Sequence, residues 1–185
     1  MRLLGAILAG GQARRFGSDK ALAGIDGQPM LDHVAQALAV ECEAVVVVGR
    51  DWPGLERIDD RPRGGLGPLG GLAGALAHAE RAGFDAVLTS GCDLPALPAG
   101  LANLLAPADA VLRGQPTIGL WRSEHARALE IWLERREDRS IRAWADHIGA
   151  RRIGYGSEIA NINTPDDLAA FVELGVRRED PRSSR

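Results

Sequence analysis

The chain has 185 residues, 45% hydrophobic and 25% charged, a composition typical of one globular domain. Its net charge of −3 argues against a broad nucleic-acid-binding face, and its 4% aromatic content argues against a stacking platform for single strands. It shows neither a signal-peptide core nor a stretch long enough to span a membrane, so we expect a cytoplasmic protein without membrane or nucleic-acid partners. Cys42 and Cys92 are too far apart in sequence for a metal-binding motif, and we interpret both as small buried side chains.

Short apolar runs alternate with helical patterns along most of the chain. Strands are predicted at Arg2–Leu8, Ala44–Gly49, around Ile58, and at Ala86–Ser90, Asp109–Leu112, Thr117–Trp121 and Arg151–Tyr155. Helices are predicted after Pro29, from Pro68, around Leu101–Leu105, from an N-cap at Ser123 to about Arg136, and from an N-cap at Ser140 through Ile148. This order predicts a three-layer α/β fold with a mostly parallel sheet and a late antiparallel hairpin.

The C-terminal part begins with a strong helix start, Thr164-Pro165-Asp166-Asp167. Thr164 suits the N-cap, Pro165 the first turn and Asp167 the capping-box position. The helix is predicted to end near Gly175. We therefore expect a single domain over residues 1–175 and a disordered polar tail over residues 176–185.

The loop after the first strand, LAGGQARRFGSDK, is unusually rich in glycine and positive charge. Its candidate anion-binding residues are Gly10, Gly11, Arg14, Arg15 and Lys20. A solvated turn is the alternative, but three cations without an acid among them until Asp19 favour a phosphate ligand. The loop matches neither a P-loop nor a dinucleotide fingerprint.

A second glycine-rich stretch, Gly65–Gly70, does match the Gly-x-Gly-x-x-Gly fingerprint, and Asp93 follows at roughly the expected spacing of ~20 residues. The context is poor, because DDRPRG separates these glycines from the preceding strand. A non-catalytic dinucleotide-binding protein is kept as the alternative from another functional class.

Acidic residues follow two of the predicted strands. Asp93 lies in the turn GCDLP, where it is a candidate magnesium ligand, since magnesium held partly by substrate phosphates needs only one or two carboxylates. An Asx-type turn is an equally good reading of Asp93. Asp59 and Asp60 are candidates for a second carboxylate or a sugar or base contact, with solvated loop acids as the simpler interpretation. A cationic glycine loop with Asp93 points to a nucleoside triphosphate with magnesium, and to nucleotidyl transfer by positioning and charge stabilisation.

These motifs resemble those of the molybdenum-cofactor guanylyltransferases, a family that transfers GMP from GTP to molybdopterin. LAGGQARRFGSDKAL is similar to its N-terminal signature, with Phe16 where Met is usual, and GPLGGLAGAL, CDLP, QPTIGLW and NINTPDDL follow in the family's order up to about Phe171. The first signature also occurs in cytidylyl and sugar-phosphate enzymes, whereas the NINTP block is more specific. The family often has Asn where this chain has Val48, which keeps a related cytidylyl- or sugar-phosphate nucleotidyltransferase as an alternative.

The resemblance implies a Rossmann-like nucleotidyltransferase fold and an in-line attack by the molybdopterin phosphate on the α-phosphorus of GTP, with Mg²⁺ as cofactor. It assigns nucleotide binding to Leu8, Ala9, Gly10, Gly11, Lys20, Asp60 and Asp93, catalysis to Lys20, Arg15 and Asp93, the metal to Asp93, and the pterin side to Asn161 and Asn163. Whether Arg14 or Arg15 contacts phosphate stays open, and a turn before Thr164 is the alternative role of the two asparagines.

Two further expectations concern movement and partners. The segment Asp60–Gly65 is predicted to be a mobile loop over the nucleotide, because its glycines and arginines permit closure. Handing over an unstable cofactor favours transient contacts with cofactor-delivery or acceptor proteins, although no sequence patch identifies them.

Overall fold

The computed structural model describes residues 1–10, 20–135, 138–157 and 159–179, with Lys20 and residues 174–179 described as backbone only. Its strands are β1 (Leu3–Leu8), β2 (Gly24–Ile25), β3 (Gln28–Pro29), β4 (Ala44–Val48), β5 (Glu56–Ile58), β6 (Ala86–Gly91), β7 (Ala110–Leu112), β8 (Gly119–Arg122) and β9 (Arg151–Ile153). Its helices are α1 (Met30–Ala39), α2 (Gly67–Ala82), α3 (Leu101–Leu105), α4 (Ala126–Arg135), α5 (Ile141–His147) and α6 (Pro165–Glu179).

Seven strands form one sheet in the order β5-β4-β1-β6-β8-β7-β9. Only β8 runs against the others: it is antiparallel to both β6 and β7, while the remaining neighbours pair in parallel. The predicted late antiparallel hairpin is therefore confirmed as β7–β8. In β1 every residue is buried, because helices cover both faces of the sheet.

Two hydrophobic clusters separate the three layers. One packs α2, α4 and α5 on the sheet face that carries Leu4, Ala6 and Leu8. The other packs α1 and α3 on the opposite face, which carries Leu3 and Ile7. This alternation along β1 buries both faces of the sheet under helices, and it confirms the predicted three-layer α/β architecture.

Helix α2 packs unusually close to the chain that follows β5. A methyl group at Gly71 would meet the side chains of Leu8 and Val48 at 3.2 and 3.4 Å, and one at Gly74 would overlap the carbonyl of Asp59. The small residues in GPLGGLAGAL therefore let the helix approach the sheet and the segment that carries Asp59.

The start of α6 forms as predicted from its capping pattern. The N–H of Asp167 donates to Thr164 Oγ1 at 3.1 Å, and Asp167 Oδ2 accepts from the N–H of Thr164 at 2.9 Å, which completes a capping box. Ahead of it, Ile162 packs with Ile25 and Met30 in a third cluster that joins this segment to α1 and the β2–β3 hairpin.

Two predicted helix boundaries are wrong. Helix α6 continues past Gly175 to Glu179, since a single glycine does not stop a helix, so residues 176–179 of the predicted tail are helical. Ser123 is not an N-cap, because its hydroxyl donates to the carbonyls of Phe84 and Asp85 and it lies inside a 3-10 turn that precedes α4. The N-cap predicted at Ser140 is confirmed by the bond from the N–H of Ala143 at 3.1 Å.

Within the described ranges, no helix has the length and apolar character that crossing a membrane would need.

Candidate active site

A cleft opens at the edge of the sheet where the parallel strands β1, β4 and β6 have their carboxyl ends, as the open α/β architecture leads one to expect. Its volume is about 180 Å³. The lining residues come from the ends of these strands, from the segment after β5, from the start of α2 and from the turn before β8: Leu8, Gly10, Val48, Asp60, Gly67, Pro68, Gly71, Gly91, Cys92, Asp93 and Thr117.

The floor of the cleft is formed where the chain leaves β1 and β4. Gly49 has φ +86°, and a methyl group on it would lie 2.6 Å from the Cα and 3.1 Å from the N of Gly10. The N–H of Ala9 donates to the carbonyl of Val48 at 3.1 Å, and the N–H of Gly49 donates to the carbonyl of Ile58 at 2.9 Å. Gly10 and Gly49 therefore cross in contact, and the crossing requires glycine at position 49, whereas a Cβ on Gly10 would lie 3.7 Å from the Cα of Gly49.

The Asp60 carboxylate lies against this crossing. Its Oδ1 is 3.6 Å from the position that a Cβ on Gly10 would occupy, and 3.7 Å from that on Gly71. Burial, with a smaller contribution from the charge of Asp59, raises the pKa of Asp60 above its ordinary value, although the backbone N–H of Gly65 opposes the shift. Asp60 is thus a partly desolvated carboxylate that faces the cleft.

Its neighbour Asp59 has a different environment. The Asp59 side chain is 77% exposed and pairs with Arg57 at 2.8 Å. Of the two adjacent acids, the structure therefore places one in the cleft and leaves the other as a solvated surface charge.

Asp93 enters the cleft from the turn after β6. Its Oδ1 folds back against the Cα of Gly91, where a side chain would displace it, and Thr117 Oγ1 lies 3.4 Å from the same position. Gly91 thus gives the Asp93 carboxylate its place at the strand end. The carbonyl of Asp93 accepts from the N–H of Ile162 at 2.9 Å, so the turn is tied to the segment before α6.

Asn161 and Asn163 flank Ile162 but do not line the cleft itself. The Asn163 side-chain amide donates to Asn161 Oδ1 at 3.0 Å, and the N–H of Asn163 donates to Asp167 Oδ2 at 2.9 Å. The two asparagines therefore build the turn before α6. Both are chain neighbours of Ile162, whose N–H donates to Asp93, so they lie beside the cleft on the β6 side.

Three other predicted site residues, Gly11, Arg14 and Arg15, lie outside the described residues. Lys20 begins a 3-10 turn over Lys20–Leu22 and is described as backbone only. Leu8, Ala9 and Gly10 occupy the strand end and first loop residues, where Leu8 and Gly10 line the cleft and Ala9 is buried.

The structure adds two residues that sequence reasoning did not single out. Gly49 closes the floor of the cleft, and its only sequence signal is a glycine directly after a buried strand. Thr117 faces Gly91 from the turn before β8, and it was visible in the sequence only as part of QPTIGLW.

The dinucleotide fingerprint at Gly65–Gly70 is not placed as such a site requires. Residues 59–66 separate β5 from α2, so the glycines do not follow a strand directly. A Cβ on Gly70 would lie 2.8 Å from that of Leu66, so this glycine allows the first turn of α2 to pack against Leu66. Gly67 and Pro68 do reach the cleft, at the start of α2, whose N-cap residue Leu66 provides no side-chain cap.

The donor set fits a divalent cation that is held partly by a ligand. Among the residues that the structure describes, no three His, Cys, Asp or Glu side chains gather to hold a metal ion on their own. Asp60 and Asp93 nevertheless line one cleft, and carboxylate oxygens are the hard donors that magnesium prefers. Such a site suits magnesium completed by phosphate oxygens and water.

Comparison with known proteins gives a consistent result. The model of the MobA-like NTP transferase domain matches residues 5–153. The molybdenum cofactor guanylyltransferase of Cereibacter sphaeroides is 38% identical, covering 94% of this chain and 97% of that protein. The protein of the same name from Rhodobacter capsulatus is 37% identical, covering 98% of this chain and 100% of that protein.

Solved structures show the same fold at lower identity. Molybdopterin-guanine dinucleotide biosynthesis protein A from Archaeoglobus fulgidus superposes with a TM-score of 0.73 at 23% identity, over 94% of this chain and 99% of that chain. The 2-C-methyl-D-erythritol 4-phosphate cytidylyltransferase of Thermus thermophilus superposes with a TM-score of 0.64 at 16% identity, over 92% of this chain and 98% of that chain.

Proposed function

Because the chain belongs to the MobA-like NTP transferase family, we propose that it transfers GMP from GTP to molybdopterin and releases pyrophosphate. The observation that carries this proposal is the similarity, over nearly the full length of both proteins, to relatives named molybdenum cofactor guanylyltransferase. The cleft supports it, since it combines a glycine floor, two carboxylates and the start of a long helix at one edge of the sheet.

The nucleotide side of the proposed site is the half formed by β1, β4 and α2. Gly10 lacks a side chain where a triphosphate would approach the loop, and the start of α2, which has no side-chain cap, lines the same cleft through Gly67 and Pro68. Asp60, which borders this half, is the proposed nucleotide-binding acid, and we assign it to the sugar or base rather than to phosphate. A carboxylate beside a triphosphate would add repulsion, whereas hydroxyl and amine donors would stabilise its charged form.

The cations of the proposed mechanism are Lys20 and Arg15. Both lie between Gly10, which lines the cleft, and the end of the 3-10 turn Lys20–Leu22, and this short separation in sequence from the cleft supports the proposal. Their role is to neutralise the charge that shifts onto pyrophosphate as the bond to the α-phosphorus breaks. Little covalent chemistry is required of the chain, because in-line transfer depends on holding two phosphates in position.

Asp93 is the proposed ligand of Mg²⁺, since its carboxylate lines the cleft and carboxylate oxygens are donors that magnesium prefers. When bound, the metal would supply charge stabilisation at the reacting phosphates. The chain's own part is to hold the Asp93 carboxylate at a fixed place, through the close packing on Gly91 and the bond from Ile162 to its carbonyl.

The acceptor side is proposed to lie next to Asp93, toward Asn161 and Asn163. The bond from Ile162 to Asp93 couples these asparagines to the turn that carries the metal ligand. Their side chains are hydrogen-bonded to each other at 3.0 Å and present polar groups suitable for a pterin edge.

The test is pyrophosphate release by the purified full chain with molybdopterin, magnesium and each nucleoside triphosphate in turn. We expect release with GTP only. Equal release with CTP would contradict the guanine assignment and favour a cytidylyltransferase, for which Val48 in the cleft is the relevant residue. Binding of NADH without turnover of any triphosphate would favour the dinucleotide-binding alternative.

Asp60→Asn is expected to weaken GTP binding while leaving the fold at least as stable as in the parent chain. Burial raises the pKa of Asp60, so the folded protein holds that proton more tightly than the unfolded chain does. Ionisation of Asp60 therefore costs stability at neutral pH, and the Asn variant is spared this cost. The gain should disappear as the pH falls below the ordinary carboxyl pKa of 3.8, where Asp60 is protonated in both states.

The measurements are GTP titration and thermal unfolding as a function of pH, with Asp59→Asn as the matched control. The exposed Asp59 pairs with Arg57 outside the cleft, so its variant should keep GTP affinity. A loss of stability in Asp60→Asn at neutral pH, or equal GTP affinity in the two variants, would contradict this account of Asp60.

A further inference from the structure

Helix α4 carries a buried carboxylate that does not line the cleft. The Glu130 side chain is 10% exposed, and its Oε1 accepts from Arg61 Nε while its Oε2 accepts from Arg127 Nη1 at 3.4 Å. The Arg61 and Arg127 side chains stay 46% and 75% exposed, so their pairing with Glu130 adds little stability, while burial costs the carboxylate its hydration. Stability alone therefore gives little reason for a carboxylate at this place.

The partner of Glu130 explains its position. Arg61 directly follows Asp60, and its backbone N–H donates to the carbonyl of Gly70 in α2 at 3.0 Å. Its side chain reaches the other way, to α4. The residue after Asp60 is thus held by two helices, once through its backbone and once through its guanidinium, at the start of a loop that is otherwise exposed.

We propose that Glu130 is a positioning residue of the nucleotide site, which fixes Arg61 and thereby the Asp60 carboxylate one residue before it. The inference rests on the proposed role of Asp60 in nucleotide binding. It also limits the movement expected for the loop Asp60–Gly65: the Arg61 end is held, and any closure over the nucleotide involves the glycines Gly64 and Gly65, which have open space around them.

The test compares Glu130→Gln with Arg127→Gln in the full chain. Glu130→Gln keeps the shape of the side chain and removes the charge that holds Arg61. Arg127→Gln removes the other, more exposed cation and leaves the contact to the loop intact. We expect the KM for GTP to rise about tenfold in Glu130→Gln, with kcat within about twofold, since misplacement of a binding group acts on substrate positioning. Arg127→Gln should match the parent chain.

A double variant distinguishes the positioning of Asp60 from a purely structural role of Glu130. In an Asp60→Asn chain, Glu130→Gln should no longer change the KM for GTP, because the carboxylate it positions is absent. The half-exposed Arg61 gives a second route if Glu130→Gln fails to fold: Arg61→Gln should reproduce the KM effect, and Arg61→Lys should restore part of it. Equal KM in Glu130→Gln and Arg127→Gln, or an undiminished effect without Asp60, would overturn the proposal.

Hydrogen exchange tests the positioning role of Glu130 independently of the proposed function. The backbone amides of Arg61 and of residues 63–66 should exchange faster in Glu130→Gln than in Arg127→Gln, whether or not the chain turns over GTP. Absence of turnover in the parent chain with this contrast present would refute the guanylyltransferase proposal alone. Turnover in the parent chain without the contrast would refute the positioning role alone.

Discussion

Asp93→Asn is expected to lower kcat/KM about 100- to 1,000-fold at limiting magnesium, the range found when one preorganised charge-stabilising group is removed from an active site. The amide keeps the size of the side chain and can accept the same hydrogen bonds in a turn, but it carries no charge for a metal ion. Activity should recover in part as magnesium is raised. The measurement is pyrophosphate release across a magnesium titration.

The same variant separates the two readings of Asp93. An Asx-type turn requires only a side-chain oxygen, so that role predicts an Asn variant close to the parent chain in activity. Asp51→Asn is a suitable control, because Asp51 is an exposed acid paired with Arg57 outside the cleft. Turnover in Asp93→Asn equal to that of this control at limiting magnesium would rule out the metal-ligand role.

Gly49→Ala is expected to disturb the proposed nucleotide site more than Gly54→Ala, although both glycines have a positive φ. Gly49 has φ +86° and Gly54 has φ +78°, so alanine is strained at both, by about 1 kcal/mol. A Cβ at Gly54 meets nothing within 4 Å, whereas one at Gly49 lies 2.6 Å from the Cα of Gly10. The Gly10 backbone must move to relieve that overlap.

The expected results follow from this difference. Gly54→Ala should lower the free energy of unfolding by about 1 kcal/mol and leave the KM for GTP unchanged. Gly49→Ala should be less stable again and should raise the KM for GTP at least about tenfold, since the loop that is proposed to contact the nucleotide is displaced. Denaturant unfolding and steady-state kinetics provide the two measurements. Equal KM values in the two variants would contradict the assignment of the Gly10–Gly49 crossing to the nucleotide site.

The fold was predictable where one residue pattern admits one structure. The apolar runs of β1 and β6, and the part of β4 from Val46 to Val48, are buried in the sheet. The Thr164–Asp167 pattern forms its capping box, and in both cases local composition and tertiary structure agree. The end of α6 was missed because Gly175 lowers helix stability without ending the helix.

The candidate site was predictable as a set of loops at one edge of the sheet, and less so in its geometry. Sequence reasoning could place acids after the right strands, but Asp59 and Asp60 are neighbours, and only the path of the chain beyond β5 decides which one faces the cleft. The Arg61–Glu130 pair joins residues 69 positions apart and has no local signal at all. Contacts of this kind depend on how α2 and α4 pack side by side, which no short motif encodes.

The most direct test of the central claim follows the phosphorus atoms of GTP. The full chain is incubated with molybdopterin, magnesium and GTP labelled either at the α- or at the γ-phosphate, and the pterin product is separated from pyrophosphate. A guanylyltransferase places the α-label in the pterin product and the γ-label in pyrophosphate. Appearance of the γ-label in the pterin product, or of neither label, would contradict the account.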